Sequence, residues 1–261
     1  MGRLEGRVAV VTGASRGIGA AIAERLAAEG AAVALIARSL DAHPHLPGTL
    51  RETVESIEKR GGRALAVQGD LMEAEDRARL VDEARAVLGP VDILVNNAAA
   101  AFYMPFEKIS AKRFRVAFEV NVRAPFGLCQ LVLPDMQARG RGWIVNISSA
   151  SALHPEGPPY QDFESHGGAV LYGATKAALD RISTGLAAEL HADGIAVNSL
   201  SPVAAVMTPG AEAHGVVPEE FRRTAEPMEN MTEATLALCE PRDAPITGRV
   251  LFTTPFLAEL A

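Results

Sequence analysis

The sequence predicts an α/β fold: a single doubly wound domain on a seven-stranded parallel sheet, with helices on both faces. Three observations predict it. Seven short apolar runs alternate with helical patterns from end to end, the runs are continuously apolar rather than alternating, and the first leads directly into a glycine-rich turn. Of the 261 residues, 48% are hydrophobic but only 5% are aromatic, so the core must be built from Ala, Val, Leu and Ile, which favours helices lying close on a sheet.

In chain order the runs are "RVAVVT" (7–12), "AVALIA" (32–37), "RALAVQ" (63–68), "VDILVN" (91–96), "WIVNIS" (143–148), "IAVNSL" (195–200) and "RVLFT" (249–253). Helices between successive strands imply right-handed crossovers, and hence parallel pairing with both faces covered. Three stretches break the rhythm: "SLDAHPHLPGT" (39–49), the segment after Ser149, and "SPVAAVMTPGAEAHGVVPEEF" (201–221). Each follows a strand's C-terminal end, where open α/β sheets bind their ligands. Nothing in the chain reads as a linker or repeat, so residues 1–261 are expected to form one domain.

A net charge of −7 with dispersed acidic residues offers no basic face, which argues against nucleic acid or an anionic membrane as partner. Cys129 and Cys239 are the only cysteines, too few for a disulfide framework and without zinc-ligand spacing. No cleavable leader and no run of ~18 apolar residues is evident, and the expectation is a soluble, cytoplasmic protein in a reducing compartment.

The first strand enters "TGASRGIG" (12–19), followed by the helical "AAIAERLAAEG". Gly13 permits a tight turn, Gly17 lets backbone approach a pyrophosphate, and Gly19 allows close helix packing. The helix N-terminus directs its N–H groups at the anion. With its G-x-x-x-G-x-G spacing after Thr, this turn resembles that of the short-chain dehydrogenase/reductase family, a single-domain Rossmann fold. The resemblance extends over nearly the whole chain. Asp70 in "QGDL" matches the acidic position that holds the adenine, and "NNAAA" (96–100) resembles the N-N-A-G segment after the fourth strand, with Ala99 where Gly is usual.

The resemblance implies a nicotinamide dinucleotide cofactor held by Gly13, Ser15, Arg16, Gly17, Ile18, Gly19, Arg38, Asp70, Leu71 and Asn97, by Tyr172 and Lys176, and by Pro202, Val203 and Thr208 after the sixth strand. NAD-using relatives tend to end the second strand with an acid that binds the adenosine ribose, whereas here Ala37 is followed by Arg38. Arg16 and Arg38 could form a guanidinium clamp for a 2′-phosphate, and NADP(H) is therefore expected over NAD(H).

Hydride transfer between a carbonyl and an alcohol also needs a proton moved at the oxygen. "YGATK" sets Lys176 four residues after Tyr172 on a helix predicted over 171–191, so both side chains share a face. An ammonium this close is expected to lower the phenol's pKa. By resemblance the catalytic set is Asn121, Ser149, Tyr172 and Lys176. Ser149 is the second serine of "VNISS" and Ser148 the alternative; Asn121 stands in "FEVNVRAPF" on a helix predicted over 110–138. Tyr160, four residues before Glu164, is not expected to be catalytic. His154, Asp162, Glu164 and His166 lie in a Pro/Gly-rich loop without ligand spacing, and no metal is expected.

Ser149 and Tyr172 are 23 positions apart, more than the family interval. The excess, residues 150–170, is read as an inserted active-site loop that contributes Tyr160 and Phe163 to the substrate pocket, and residues 201–221 are read as a substrate loop. Pro202-Val203 replaces the usual Pro-Gly, and "HPHLPGT" resembles the hydroxysteroid-dehydrogenase-like branch. The expected activity is interconversion of a ketone or aldehyde with an alcohol. A β-ketoacyl thioester reductase and a non-catalytic dinucleotide-sensing protein are the alternatives. The family also implies a homotetramer or homodimer built on the two long helices.

Overall fold

The computed structural model describes residues 2–41, 47–160, 162–165, 170–208, 223 and 225–261, and the side chains of 162 and 163 lie outside that description. Seven parallel strands form one sheet in the order β3-β2-β1-β4-β5-β6-β7. They are β1 (Val8–Thr12), β2 (Ala32–Ala37), β3 (Arg63–Gln68), β4 (Ile93–Asn96), β5 (Gly142–Ile147), β6 (Ile195–Ser201) and β7 (Val250–Phe252). The order reverses at β1, which pairs with β2 on one side (Val10 opposite Ala34) and with β4 on the other (Val10 opposite Leu94). A crevice opens at such a reversal, beyond the strands' C-terminal ends.

Every residue of β1, β4, β5 and β6 is buried, as continuous apolar runs require when both faces of a sheet are covered. On one face lie α1 (Gly17–Ala28), α2 (Leu50–Lys59) and two C-terminal helices, α8 (Met228–Cys239) and α9 (Thr253–Leu260). The buried stripe of α1, Ile22, Ala23, Leu26 and Ala27, meets the Ala-rich α8, and the small side chains let the two helices approach closely. The other face carries α3 (Ala74–Leu88), α4 (Ala111–Phe118), α5 (Ala124–Arg139) and α7 (Val170–Leu190), while α6 (Asp162–Ser165) is a single turn within the long segment before α7. Local signals mark several ends. Thr49 caps α2 by accepting the Glu52 N–H at 3.0 Å, Ser110 caps α4, and Gly140 ends α5 in the left-handed region at φ 60°.

The helix expected over 110–138 is not uniform: α4 and α5 are joined by a π-turn at Glu119–Arg123. Ala111–Arg139 is long and apolar enough to cross a membrane by length and composition alone, but Ala124, Leu128, Val132 and Met136 on it are packed against the sheet. At the opposite end of the sheet from the crevice, the fully buried Asp92 accepts the Val8 N–H at 2.9 Å and pairs with Arg139 at 2.7 Å. It thereby ties the starts of β1 and β4 to the end of α5. The run expected from 91 is assigned as strand only from Ile93, although the Asp92 backbone already bonds Val8 and Trp143 on the neighbouring strands.

Candidate active site

The glycine turn is shaped by β4. The Thr12 hydroxyl donates to the Val95 carbonyl at 3.4 Å and accepts the N–H groups of Asn97 and Ala98, both at 3.0 Å. The Asn97 amide donates to the Thr12 carbonyl at 2.9 Å and to that of Gly13 at 3.3 Å. Asn97, assigned to the cofactor on resemblance, thus also fixes the cradle through its N–H groups. Gly13 (φ 66°) has Ala98 Cα 2.9 Å from where a Cβ would stand, and a Cβ on Gly19 would collide with the Asn97 amide and the Gly13 carbonyl. Gly17 (φ 56°) faces Thr208, whose Cβ and Cγ2 lie 3.3 Å from its missing Cβ. The loop after β6 therefore reaches across to the cradle. Ser15 is buried in the turn, and Ile18 packs against the core beneath it.

Arg16 and Arg38 flank this turn. The Arg16 guanidinium donates to the Gly48 carbonyl at 2.8 Å, while its buried Nε has no hydrogen-bond partner among the described residues. Burial pushes its pKa down and the nearby positive charge of Arg38 pushes the same way. A cradle that rejects side chains, beside two guanidinium groups close enough to repel, fits a diphosphate. The adjoining cleft is lined by Ser15, Arg16, Gly17, Gly48 and also Glu52. Asp70 follows β3 and accepts the Met72 N–H at 3.0 Å, Leu71 is buried, and Arg38 is exposed at the end of β2.

β5 ends at Ile147, and α7 starts at Val170, so Ser149 and the first turn of α7 converge. The Ser149 hydroxyl hydrogen-bonds the Tyr172 phenol and accepts from the Ser151 N–H at 3.2 Å. Ser148 points elsewhere: its buried hydroxyl, without a well-formed hydrogen bond, faces the carboxylate of Asp180. Lys176, only 2% exposed, donates to the Ile147 carbonyl at 2.7 Å, with Nζ 5.5 Å from the Tyr172 ring centre.

The electrostatics correct the expectation that Lys176 makes the phenol acidic. Burial drives the Tyr172 pKa well up from its ordinary value, the neighbouring Tyr103 adds to this, and only the Ser149 hydrogen bond opposes it. Among this chain's own groups, desolvation wins. The same burial brings Lys176 down to about 8, against the negative charge of Asp180 one turn further along. Asp180 in turn accepts from the Ser199 hydroxyl on β6 at 2.5 Å, and burial raises its pKa.

Asn121 sits fully buried in the π-turn, a helical irregularity that often marks functional positions. Its Oδ1 accepts the Ala100 N–H at 2.7 Å, and its Nδ2 donates to the Ala100 carbonyl at 2.9 Å and to Thr175 Oγ1 at 3.0 Å. Thr175 then donates to the Tyr172 carbonyl at 2.7 Å. Asn121 therefore joins the strand-end segment to the helix carrying Tyr172 and Lys176.

Tyr160 is 54% exposed, and its ring folds back over Gly157 of its own loop. The Phe163 side chain, His166 and residues 209–221 of the substrate loop lie outside the described residues. The aromatic side chain that does meet the site is Tyr103, missed in the sequence. Its ring lies edge-on to Tyr172 at 5.4 Å and 62°, and burial raises its pKa to about 12. The available signal was an aromatic residue a few positions past "NNAAA".

This fold and site define a nicotinamide-dinucleotide-binding oxidoreductase. The family model for short chain dehydrogenases matches residues 7–214. The 7alpha-hydroxysteroid dehydrogenase of Escherichia coli (strain K12) is 34% identical over 95% of this chain and 93% of its own length. A solved 7α-hydroxysteroid dehydrogenase complexed with NADH and 7-oxo glycochenodeoxycholic acid superposes with a TM-score of 0.83 at 31% identity, covering 96% of this chain and 93% of that one. A 3-oxoacyl (acyl-carrier-protein) reductase from Agrobacterium tumefaciens with NADP bound gives 0.80 at 32% identity, over 95% and 93%. The chain belongs to the short-chain dehydrogenase/reductase family, near its hydroxysteroid dehydrogenase branch, and is an oxidoreductase acting on CH–OH groups.

Proposed function

We propose that the protein interconverts a ketone or aldehyde and an alcohol, with NADP(H) as cofactor and Tyr172 as acid/base. The convergence of Ser149, Tyr172 and Lys176 at the mouth of the crevice carries this reading. When bound, the dinucleotide supplies or takes the hydride and, oxidised, adds positive charge beside the phenol. The turn at Gly13–Gly19 and Thr208 would hold its diphosphate, and Pro202 and Val203 would face its nicotinamide. A buried phenol that keeps its proton at neutral pH is suited to donate it to a carbonyl oxygen, and the Ser149 hydroxyl stabilises charge on that oxygen. Lys176 supplies a cation held by the Ile147 carbonyl, and Asn121 fixes the helix turn that carries the pair.

The preference for NADP(H) is supported by Ala37 at the end of β2, by exposed Arg38, and by the Arg16 Nε, which has no partner among the described residues. A panel of ketones, aldehydes, alcohols and acyl thioesters, followed by nicotinamide absorbance with both cofactors, tests the reading. The expected kcat/KM for NADPH exceeds that for NADH by about tenfold or more, as suits a charge-assisted phosphate contact, and Arg38→Ala removes most of the difference. Equal values for the two cofactors overturn the preference.

The position of Lys176 also sets a pH dependence. Lys176 is charged below about 8, so reduction is expected to be fastest there and to fall as pH rises through that value. Asp180→Asn removes the carboxylate that favours the ammonium, and the descending limb should move to lower pH by about one unit. A pH–rate profile identical to wild type would refute this coupling.

Exposed Phe114 and Phe126 on the Ala111–Arg139 helix support self-association through that helix, into a dimer or tetramer. Buried, unpaired Cys129 and Cys239 fit a reducing, cytoplasmic setting.

A further inference from the structure

The segment leaving β6, Pro202 to Thr208, is pinned at both ends. Thr208 lies against Gly17 in the cradle. Near β6 the pin is a single carboxylate. Glu226 is only 6% exposed, and its Oε2 accepts the Val203 N–H at 2.7 Å. The Glu226 backbone N–H donates to the Ala205 carbonyl at 2.9 Å, and Val206 and Glu226 form an isolated parallel bridge. The other carboxylate oxygen faces the C-terminal helices. Oε1 accepts from Asn230 Nδ2 on α8 at 2.9 Å, from Thr254 Oγ1 at 2.9 Å, and from Thr253 Oγ1 in a short contact. Thr253 and Thr254 begin α9, whose N-cap Phe252 provides no side-chain bond, so the carboxylate also stands at the positive end of that helix.

Burial alone would raise the Glu226 pKa, but its four donors outweigh it and hold the carboxyl below its ordinary value. The charge matters because a carboxylate accepts on both oxygens. The corresponding amide would present N–H groups to one side, set either against the Val203 N–H or against the Asn230 amide.

We infer that Glu226 is a positioning residue for the dinucleotide, a buried latch that joins the loop facing the nicotinamide to the start of the C-terminal helix. The inference rests on the reading above that Pro202 and Val203 face the nicotinamide of the cofactor. The carboxylate bonds the segment at Val203, its nicotinamide end, whereas the adenosine half would be held by the glycine turn and the ends of β1 and β2.

The test compares NADPH with 2′,5′-ADP, which lacks the nicotinamide, by fluorescence and calorimetric titration of the full-length protein, alongside amide exchange at Val203. Glu226→Gln is expected to weaken NADPH binding about tenfold, in line with a hydrogen bond to a charged group, while 2′,5′-ADP binding changes less than about twofold and the Val203 amide exchanges faster. Thr254→Val leaves Glu226 in place but removes one of its four donors, which is also an acceptor for Asn230 at 3.2 Å, at an exposed position, and should shift NADPH affinity the same way by about two- to threefold. Parallel loss of both ligands overturns the inference, as does a Val203 amide set free with NADPH affinity unchanged. A wild-type protein that binds neither ligand would instead overturn the reading of the site, and the inference with it.

Discussion

Replacing Tyr172 by Phe is expected to lower kcat by about a thousandfold while leaving dinucleotide affinity within about twofold, because the change removes a positioned proton donor and little else. The ring keeps its edge contact with Tyr103, and Lys176 keeps its bond to the Ile147 carbonyl. Ser149 loses one partner but retains the Ser151 N–H and hydroxyl. No large change in melting temperature should therefore accompany the loss. Steady-state rates together with a dinucleotide titration separate the two effects. Near-normal turnover in the variant would assign the proton to another group and remove the basis of the proposed chemistry.

Gly19→Ala is expected to be nearly as damaging by a different route. The added methyl would enter space held by the Gly13 carbonyl, which is backbone, and by the Asn97 side-chain amide, which its bonds to Thr12 and Gly13 hold in place. Relief requires the first turn of α1 to move away from β4, which opens the cradle and breaks the Asn97 bonds to Thr12 and Gly13. Forcing atoms into a close-packed site typically costs about 1–3 kcal/mol, and dinucleotide affinity should fall at least about tenfold as the N–H groups lose their aim. Gly185→Ala is the contrast. There the new methyl meets only the end of the Arg181 side chain at 3.1 Å, and the helix gains up to about 1 kcal/mol of intrinsic propensity. Thermal melts and titrations of both variants should diverge accordingly, and similar behaviour would show that packing at Gly19 is not what shapes the site.

Much of this was legible in the sequence because it is local. The seven apolar runs became the seven strands to within two residues at each end, and the helix expected over 171–191 is Val170–Leu190. The glycine turn and the Tyr172–Lys176 pair are spacing signals, and spacing survives folding. What stayed hidden depends on contacts between distant residues. Nothing near Glu226 in the sequence indicates that its carboxylate meets Val203 on one side and Thr253 on the other. Nor does "NNAAA" show that the second Asn donates its amide to Thr12 and Gly13 while the first bonds Asn146 at 2.8 Å in the core. The influence of Lys176 on Tyr172 was misjudged for a related reason: helical spacing gives proximity, but desolvation follows from the whole surrounding structure. Asn121 was found by its motif, yet the π-turn that aims it at Ala100 and Thr175 has no sequence signal of its own.

Thr12 has a mechanical consequence. Its hydroxyl and carbonyl bind β4 and the residues beyond it at the seam where the strand order reverses. With that seam riveted, the halves cannot swing apart like the jaws of a clamshell. We propose that passage of small molecules is governed instead at the rim, by the described residues that directly follow β5 and β6, so exchange rates should respond to changes there and be indifferent to the stiffness of the sheet's spine.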